Sequence, residues 1–419
     1  MERFKLTRRE KAWVLYDVGN SAFTMLVSTL FPIYFNALAT AQGISDITYL
    51  AYWGYASSIA TLLTAVIGPV FGTLADRKNY KKPIFLAAML LGVVSCACLG
   101  GAKSWLGFLG LYLVAKVSYS SSLVFYDAML PETTTEERMD RVSSMGYAFG
   151  YIGSCIPFVA CLVLVLGAES FGMGQMTAMG AAFALTAVWW LVLTLPLLRT
   201  YKQEKYVESR GNPITQTFGQ LWNTLKDIKN QRHIFLFLLA FFFFIDGVYT
   251  VIDMAVAYGT AVGLDTTGLL LALLLTQIVA FPCAILFGRL AGKYDTGLLL
   301  KVCILSYTGI AVFAIFLAHQ WQFWMLAVWV GMFQGGVQAL SRSYFGKIIP
   351  AEHAGEYFGL FDICGKGAAF IGTTLVGAGS QLTGSQSAGV SVLVVIFIAG
   401  FFLFGKADKV CKEYLANKE

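Results

Sequence analysis

Charged side chains interrupt several long apolar stretches of the sequence. Lys116 lies in the middle of the apolar run 105–128, and Asp246 and Asp253 lie seven residues apart in the run 233–262. An ionised side chain that faces lipid is costly, so these residues should face protein, water or a bound solute. A lysine in such a place can bind the carboxylate of a solute, whereas an aspartate can bind an ammonium group or carry a proton.

Lys116 and Asp246 also have a structural alternative. Lys116 could pair with an aspartate of another helix, and Asp246 could be that aspartate. Because seven residues make about two helical turns, Asp246 and Asp253 should share one face and form an acidic stripe along a cavity. We expect Asp246 to lie near mid-membrane as a proton carrier and Asp253 to lie nearer the outer mouth, where it is hydrated.

Two further polar pairs have helical spacing. Asp17 and Asn20 lie close to one turn apart near the start of the apolar run 13–40. They could bind a polar or cationic group, with Asp17 also able to carry a proton, or they could brace neighbouring helices. Asp362 and Lys366 stand four residues apart with the acid first, so we expect them to pair with one another.

Amides and tyrosines accompany these charges. Gln334 and Gln338 are spaced i,i+4 and could recognise a zwitterion or a hydroxyl, or hydrogen-bond neighbouring helices. Tyr126 and Tyr249 flank the polar sites, where packing or interfacial roles are the alternative. The predicted substrate-binding residues are Asp17, Asn20, Lys116, Tyr126, Asp246, Tyr249, Asp253, Gln334 and Gln338, with Asp17 and Asp246 as proton carriers.

The elements that carry these residues are predicted to cross a membrane. Of the 419 residues, 57% are hydrophobic and only 13% are charged, against roughly 25% charged in soluble domains. Many apolar runs approach the ~20 residues that a helix needs to cross a bilayer. The composition therefore predicts an all-α integral membrane protein with about twelve spans, near 13–40, 49–75, 83–102, 105–128, 141–167, 174–198, 233–262, 267–291, 298–319, 321–346, 357–381 and 385–405.

Basic residues are concentrated on alternate connections between these spans. The other side of the membrane receives almost only Lys103. By the positive-inside rule both termini are expected in the cytoplasm, and the net charge of +6 is a topology signal that predicts no nucleic-acid partner. The basic connections are 3–11, 77–82, 138–141, 199–232 and the tail 406–418.

The longest connection divides the chain into two halves of six spans. We predict a bundle of residues 1–198, a cytoplasmic linker of residues 199–232 and a second bundle of residues 233–419 that ends in a short basic tail. Ile214, Phe218, Leu221, Leu225 and Ile228 recur at helical spacing in the linker. They predict an amphipathic helix on the membrane surface, with a partner-binding helix as the alternative.

The two halves also resemble each other in sequence. GTLA at 72–75 is echoed by GRLA at 288–291, and Pro131 is echoed by Pro350, at nearly constant offsets. Parallel six-span repeats are typical of one large class of secondary transporter. The repeat therefore predicts a pseudo-symmetric twelve-helix bundle.

The loop GTLADRKNYKK at 72–82 could be an ordinary basic inside loop. Its order of residues nevertheless resembles the signature loop of the major facilitator superfamily. That resemblance implies a latch between the two halves, so Gly72, Asp76 and Arg77 are candidate gating residues, and Arg342 is added as a latch or lipid-headgroup contact. The copy at 288–301 lacks the aspartate, so we expect a strong latch only at the first copy.

A narrower resemblance rests on WVLYDVGNSAF at 13–23, FFIDGVYTVIDMAVAYG at 243–259 and GGVQALSRSYFGKIIPAEHAGEYFGLFDICGKG at 335–367. Together they resemble the vacuole effluxer-like, autophagy-related family of the superfamily, as a bacterial member. The resemblance implies a secondary transporter in the bacterial inner membrane. Fungal members of this family are linked with amino-acid export from the vacuole.

The sequence contains no G-x-x-x-x-G-K-[ST] loop, no H-E-x-x-H and no nucleophile–base pair in a soluble domain. We therefore expect neither an enzyme nor an ATP-driven pump, and no cofactor or metal. The predicted function is alternating-access transport of a small polar solute, such as an amino acid or related zwitterion, coupled to protons and carried out by a monomer in the lipid bilayer. The alternatives are export of amphiphilic or lipid-like molecules and a transport-inactive membrane receptor or scaffold.

Overall fold

A computed structural model describes residues 4–44, 46–208, 226 and 231–417. Regular structure in these residues is helical, apart from one isolated bridge between Arg77 and Val207. The α-helices are α1 (Arg8–Ser28), α2 (Leu30–Ala41), α3 (Asp46–Ala75), α4 (Lys81–Cys98), α5 (Trp105–Ala128), α6 (Leu130–Thr133), α7 (Glu136–Leu166), α8 (Gln175–Thr200), α9 (Arg232–Ala261), α10 (Thr266–Leu290), α11 (Thr296–Ile315), α12 (Gln320–Ile348), α13 (Ala354–Thr383) and α14 (Gln386–Ala416).

Within the described residues, twelve segments are long and apolar enough to cross a membrane, which confirms the predicted number of spans. The first span differs from the prediction because it is built from two helices, α1 and α2. The helix breaks at Thr29, whose hydroxyl donates to the carbonyl oxygen of Met25 at 2.5 Å. Pro32 follows directly in the first turn of α2, where the missing N–H of proline costs no helical hydrogen bond.

Apolar side chains form two separate hydrophobic clusters. One draws on buried residues between 13 and 201, and the other on residues between 234 and 411 together with Ala128. The two six-helix halves meet where α3 packs against α13 and where α7 packs against α10 and α12. These contacts leave α1, α5, α9 and α12 to place their polar residues between the halves.

We call the end of the bundle that carries both chain termini the terminus face. It includes the connections 76–80, 129–135, 201–208, 291–295 and 349–353. Apart from one hydrogen bond between Tyr151 and Gln338, the hydrogen bonds and ion pairs that join the two halves in the described residues lie on the terminus-face side of the bundle. The structure is therefore closed at the terminus face.

The connection between the halves begins with a short extended segment, residues 201–208, which we call the linker head. It packs on the loop that follows α3: the Val207 N–H donates to the Asp76 carbonyl at 2.8 Å, and the Gln203 amide donates to the Arg77 carbonyl at 3.0 Å. The predicted amphipathic helix around residues 214–228 lies outside the described residues, apart from Lys226.

Candidate substrate site and gating contacts

Four charged side chains come together between the halves, and we call them the central charged group: Lys116 of α5, Asp253 of α9, and Asp362 and Lys366 of α13. Asp362 and Lys366 form an ion pair at 2.7 Å, which confirms their predicted i,i+4 pairing. Lys116 lies within electrostatic range of both carboxylates and of Lys366. Lys116 of the N-terminal half thus faces two spans of the C-terminal half.

Lys116 and Asp253 are the unpaired members of this group. Neither forms an ion pair within 4.0 Å with another described residue, and Lys116 lies 5.8 Å from the ring centre of Tyr119. Asp253 is solvent-exposed although helices surround it, as expected for the wall of an open cavity. One cation and one anion, supplied by opposite halves, are therefore left without an ion-pair partner among the residues that the structure describes.

Asp246 does not join this group. Its carboxylate is buried and accepts hydrogen bonds from the Gly372 N–H of α13 at 2.9 Å and from the Thr250 hydroxyl at 3.4 Å. The prediction that Asp246 shares a cavity-facing stripe with Asp253 or neutralises Lys116 is wrong. The two aspartates do share a helical face, but α13 crosses that face at Gly372 and covers only the first of them.

Gly372→Ala should destabilise the fold. A methyl group at this position would overlap both the Asp246 carboxylate and the Thr250 hydroxyl. Overpacking of this kind costs about 1–3 kcal/mol, and the displaced carboxylate also loses its backbone donor. We expect a lower midpoint of thermal unfolding for the purified protein in detergent.

Gly377→Ala is the matched control on the same helix, because the added methyl group would have no other atom within 4 Å. Alanine is preferred to glycine in helices, so this variant should unfold at the wild-type temperature or slightly above it. Equal unfolding temperatures for the two variants would contradict the bracing role of Gly372.

Arg342 of α12 reaches across to the other half at the terminus face. Its guanidinium donates to Asp127 of α5 at 3.0 Å and to the Ser143 hydroxyl of α7 at 2.9 Å, and it lies 3.5 Å from the Asp17 carboxylate of α1. The side chain is buried, so its predicted alternative as a lipid-headgroup contact is wrong. We call Arg342, Asp17 and Asp127 the Arg342 site.

Aromatic rings surround the same guanidinium. It lies 4.6, 5.5 and 4.3 Å from the ring centres of Trp13, Tyr126 and Tyr147. Tyr126 donates its hydroxyl to Asp17 at 3.1 Å, and Asn20 donates its amide to the carbonyl of its own helix at Tyr16. Asp17 and Tyr126, both predicted to bind substrate, are thus engaged in a contact between the halves.

Asp127 is a residue that the sequence reasoning missed. It stands near the end of its span, where a carboxylate looks like an ordinary boundary residue. The signal that could have found it is the charge of Arg342 at the matching end of α12, since a buried guanidinium requires carboxylate partners.

The amides of α12 face α7 of the other half. Tyr151 donates its hydroxyl to Gln338 at 3.0 Å, and it also lies beside Gln334. Tyr249 of α9 is half-buried, within electrostatic range of Asp253. These three predicted residues therefore lie between the halves, beside the central charged group and the Arg342 site.

Asp76 joins the halves at the signature loop. Its carboxylate accepts the N–H groups of Gly355 and Glu356 at 2.8 and 2.9 Å, where the chain enters α13. Lys81 lies 3.5 Å away and pairs with Glu132 at 2.6 Å. Burial raises the pKa of Asp76 to about 6, although Lys81 and the two N–H groups favour the carboxylate.

Gly72 and Gly355 allow this contact. A methyl group on Gly72 would overlap the Gly355 carbonyl, and one on Gly355 would overlap the Gly72 carbonyl. The two backbones can therefore meet only because both residues lack a side chain. Arg77 takes part through its backbone, which bonds to the linker head.

A second contact forms at the degenerate copy of the loop. Asp140 of α7 accepts hydrogen bonds from the hydroxyls of Thr296 at 2.8 Å and Ser343 at 2.6 Å, and it pairs with Lys347 at 2.5 Å. The prediction of a strong latch only at the first copy is wrong. The second copy has Gly292 in place of the aspartate, and Asp140 of the other half supplies the carboxylate instead.

An apolar pocket lies inside the C-terminal half. It encloses about 120 Å³ and is lined by side chains of all six spans of that half. Gln277 lines it, and its side-chain oxygen is buried with no hydrogen-bond partner among the described residues. No group of three or more metal-ligating side chains occurs in the described part of the chain.

Comparison with known proteins agrees with this architecture. A protein of Bacillus subtilis strain 168, named an uncharacterised MFS-type transporter, YxiO, is 40% identical over 408 residues, which is 96% of this chain and 95% of that protein. Autophagy-related protein 22 of Cryptococcus neoformans is 26% identical over 318 residues, 70% of this chain and 56% of its own length. This chain thus matches only about half of that fungal relative.

Solved structures show the same fold at low sequence identity. The human organic anion transporter MFSD10 superposes with a TM-score of 0.71 at 12% identity, covering 96% of this chain and all of the other. The major facilitator transporter FucP, in its outward conformation, superposes with a TM-score of 0.71 at 13% identity, covering 96% of this chain and 97% of the other. The family model described as vacuole effluxer Atg22 like matches residues 7–410. This chain is therefore a multi-pass membrane transporter of the major facilitator type and belongs to the vacuole effluxer Atg22-like family.

Proposed function

We propose that this transporter moves a small zwitterion, such as an amino acid, by proton-coupled alternating access. Lys116 binds the carboxylate of the solute and Asp253 binds its ammonium group. Tyr249, Gln334 and Gln338 complete the surroundings of the solute. The protein works as a monomer without enzymatic activity.

The observation that carries this proposal is the pair of unpaired charges in the central charged group. A bound zwitterion satisfies both, whereas a purely anionic or cationic solute leaves one of them uncompensated. Because Lys116 and Asp253 belong to opposite halves, the solute also bridges the two bodies that move in alternating access. Binding and movement are then linked by the same contacts.

The orientation of the protein in the membrane follows from the distribution of its basic residues. With both termini in the cytoplasm of a bacterial cell, the terminus face is the inner face and the structure is the outward-facing state. Of the two predicted proton carriers, we retain only Asp17 as a carrier. It belongs to a contact between the halves that must break when the terminus face opens. The contacts of Asp246 lie within one half and need not break, so we do not propose it as a proton carrier.

Ligand-induced thermal stabilisation tests the proposal. Neutral amino acids should stabilise the purified wild-type protein more than the matching amines or carboxylic acids. Lys116→Gln and Asp253→Asn should each weaken amino-acid binding at least about tenfold, because a hydrogen bond to a charged group contributes about 1.5–3 kcal/mol. In vesicles, the same variants should lose uptake driven by a pH gradient.

Lys103→Gln and Asp246→Asn are the matched controls, a lysine in an exposed connection and an aspartate outside the central charged group. Both should keep wild-type affinity. If no zwitterion binds, or if binding survives in Lys116→Gln and Asp253→Asn, the assignment fails.

The apolar pocket favours a second candidate, transport of amphiphilic molecules. Its lining would suit a hydrocarbon group, with Gln277 available to accept a hydrogen bond. Binding of an amphiphilic dye such as rhodamine 6G that is unaffected by Lys116→Gln, together with no response to amino acids, would favour this candidate over the first.

A further inference from the structure

The charges of the Arg342 site do not balance. Two carboxylates, Asp17 and Asp127, face a single guanidinium. Asp17 is buried, and the side chain of Asp127 is 19% exposed. If both acids were ionised, the closed terminus face would enclose one uncompensated negative charge, which is unfavourable away from water.

No other cation among the described residues offsets this charge. The neighbouring titratable groups on the surrounding helices are tyrosines and one further acid, Asp362, which already has Lys366 as its partner. The titratable groups that face the two carboxylates are Tyr126 of α5, Tyr147 and Tyr151 of α7, Tyr249 of α9, Arg342 of α12 and Asp362 of α13.

We propose that Asp17 and Asp127 share one proton while the terminus face is closed and release it when that face opens. The proton comes from water in the central cavity and binds to one carboxylate oxygen. Arg342 then pairs with the remaining ionised carboxylate. When α12 withdraws, water reaches both acids and stabilises their ionised forms, so the proton leaves as hydronium.

The direction in which the proton moves rests on the proposed transport cycle. The number of protons bound on closure does not. Protons taken up through the cavity in the closed state would be delivered at the terminus face, which is the direction required for uptake driven by protons. Binding of the proton accompanies closure of the terminus face, so it can be measured without any solute.

The experiment measures closure against pH. Spin-label side chains introduced as unnatural amino acids at Lys78 and Glu352, on opposite halves, report the opening of the terminus face in lipid nanodiscs. The slope of the logarithm of the closed-to-open ratio against pH gives the number of protons bound on closure. Asp127→Asn should lower that number by one, and Asp17→Asn should lower it by the same amount.

The double variant Asp17→Asn/Asp127→Asn should lose no more than one proton, since the two acids share it. Asp140→Asn is the matched control at the same face: its charge is balanced by Lys347, so it should weaken closure without changing the proton number. An unchanged slope in Asp127→Asn, or an equal loss in Asp140→Asn, would overturn the proposal. Absence of solute flux would instead count against the proposed function and leave these slopes intact.

Discussion

Gly72→Ala should open the terminus face. The added methyl group would overlap the Gly355 carbonyl, and no side-chain rotation can relieve a clash with the backbone. The helices α3 and α13 must then separate by roughly 1 Å to restore van der Waals contact, which breaks both N–H bonds to Asp76. Hydrogen bonds to a charged group contribute about 1.5–3 kcal/mol each, so the closed-to-open ratio should fall at least about 100-fold.

The label distance across positions 78 and 352 measures this change. Gly54→Ala is the matched control, because it places the same methyl group on α3 with no atom within 4 Å. It should keep the wild-type distance distribution and wild-type flux. Closure that persists in Gly72→Ala would show that the α3–α13 crossing does not hold the face shut.

Asp76→Asn should remove a large part of the pH dependence of closure. In the closed structure the pKa of Asp76 is about 6, above its ordinary value of 3.8, because burial disfavours the carboxylate. Because its pKa is raised in the closed state, the Asp76 carboxyl group binds a proton more tightly when the terminus face is closed than when it is open. Asp76 therefore favours closure in acid, and its contribution weakens as the pH rises from about 4 to about 6 and is constant above that, a change of about 3 kcal/mol.

The label distances at pH 4 to 8 test this sign. Asp76→Asn cannot ionise and should lose one proton from the slope, independently of the proton held by the Arg342 site. His353 lies near Asp76 and also titrates, so His353→Gln serves as the control that should keep the Asp76 contribution. A wild-type protein that opens as the pH falls would contradict the sign.

The spans and local pairs could be predicted because they depend on nearby residues. Length and hydropathy define each span, and the four-residue spacing of Asp362 and Lys366 is sufficient to bring them together. These features depend little on which helix lies opposite. Gly72 and Asp76 could be predicted for another reason, the resemblance of their loop to a known signature, although both contact α13 of the other half.

The environment of a buried acid could not be predicted in the same way. Asp246 and Asp253 share a helical face, yet only the packing of α13 decides that one is covered and the other is open. Asp127 and Asp140 stand at span ends, where a carboxylate is common in any membrane protein. Their importance comes from Arg342 and Lys347, which lie about 200 residues further along the chain.

The linker head has a practical consequence for dividing this chain. Glu132, which holds the buried Lys81 beside Asp76, accepts backbone N–H groups from Glu204 at 2.7 Å and Lys205 at 3.3 Å. A break after Thr200 would remove these donors and leave a buried carboxylate short of partners. Separately expressed half-proteins should therefore keep the linker head with the N-terminal piece and be split only beyond Glu208.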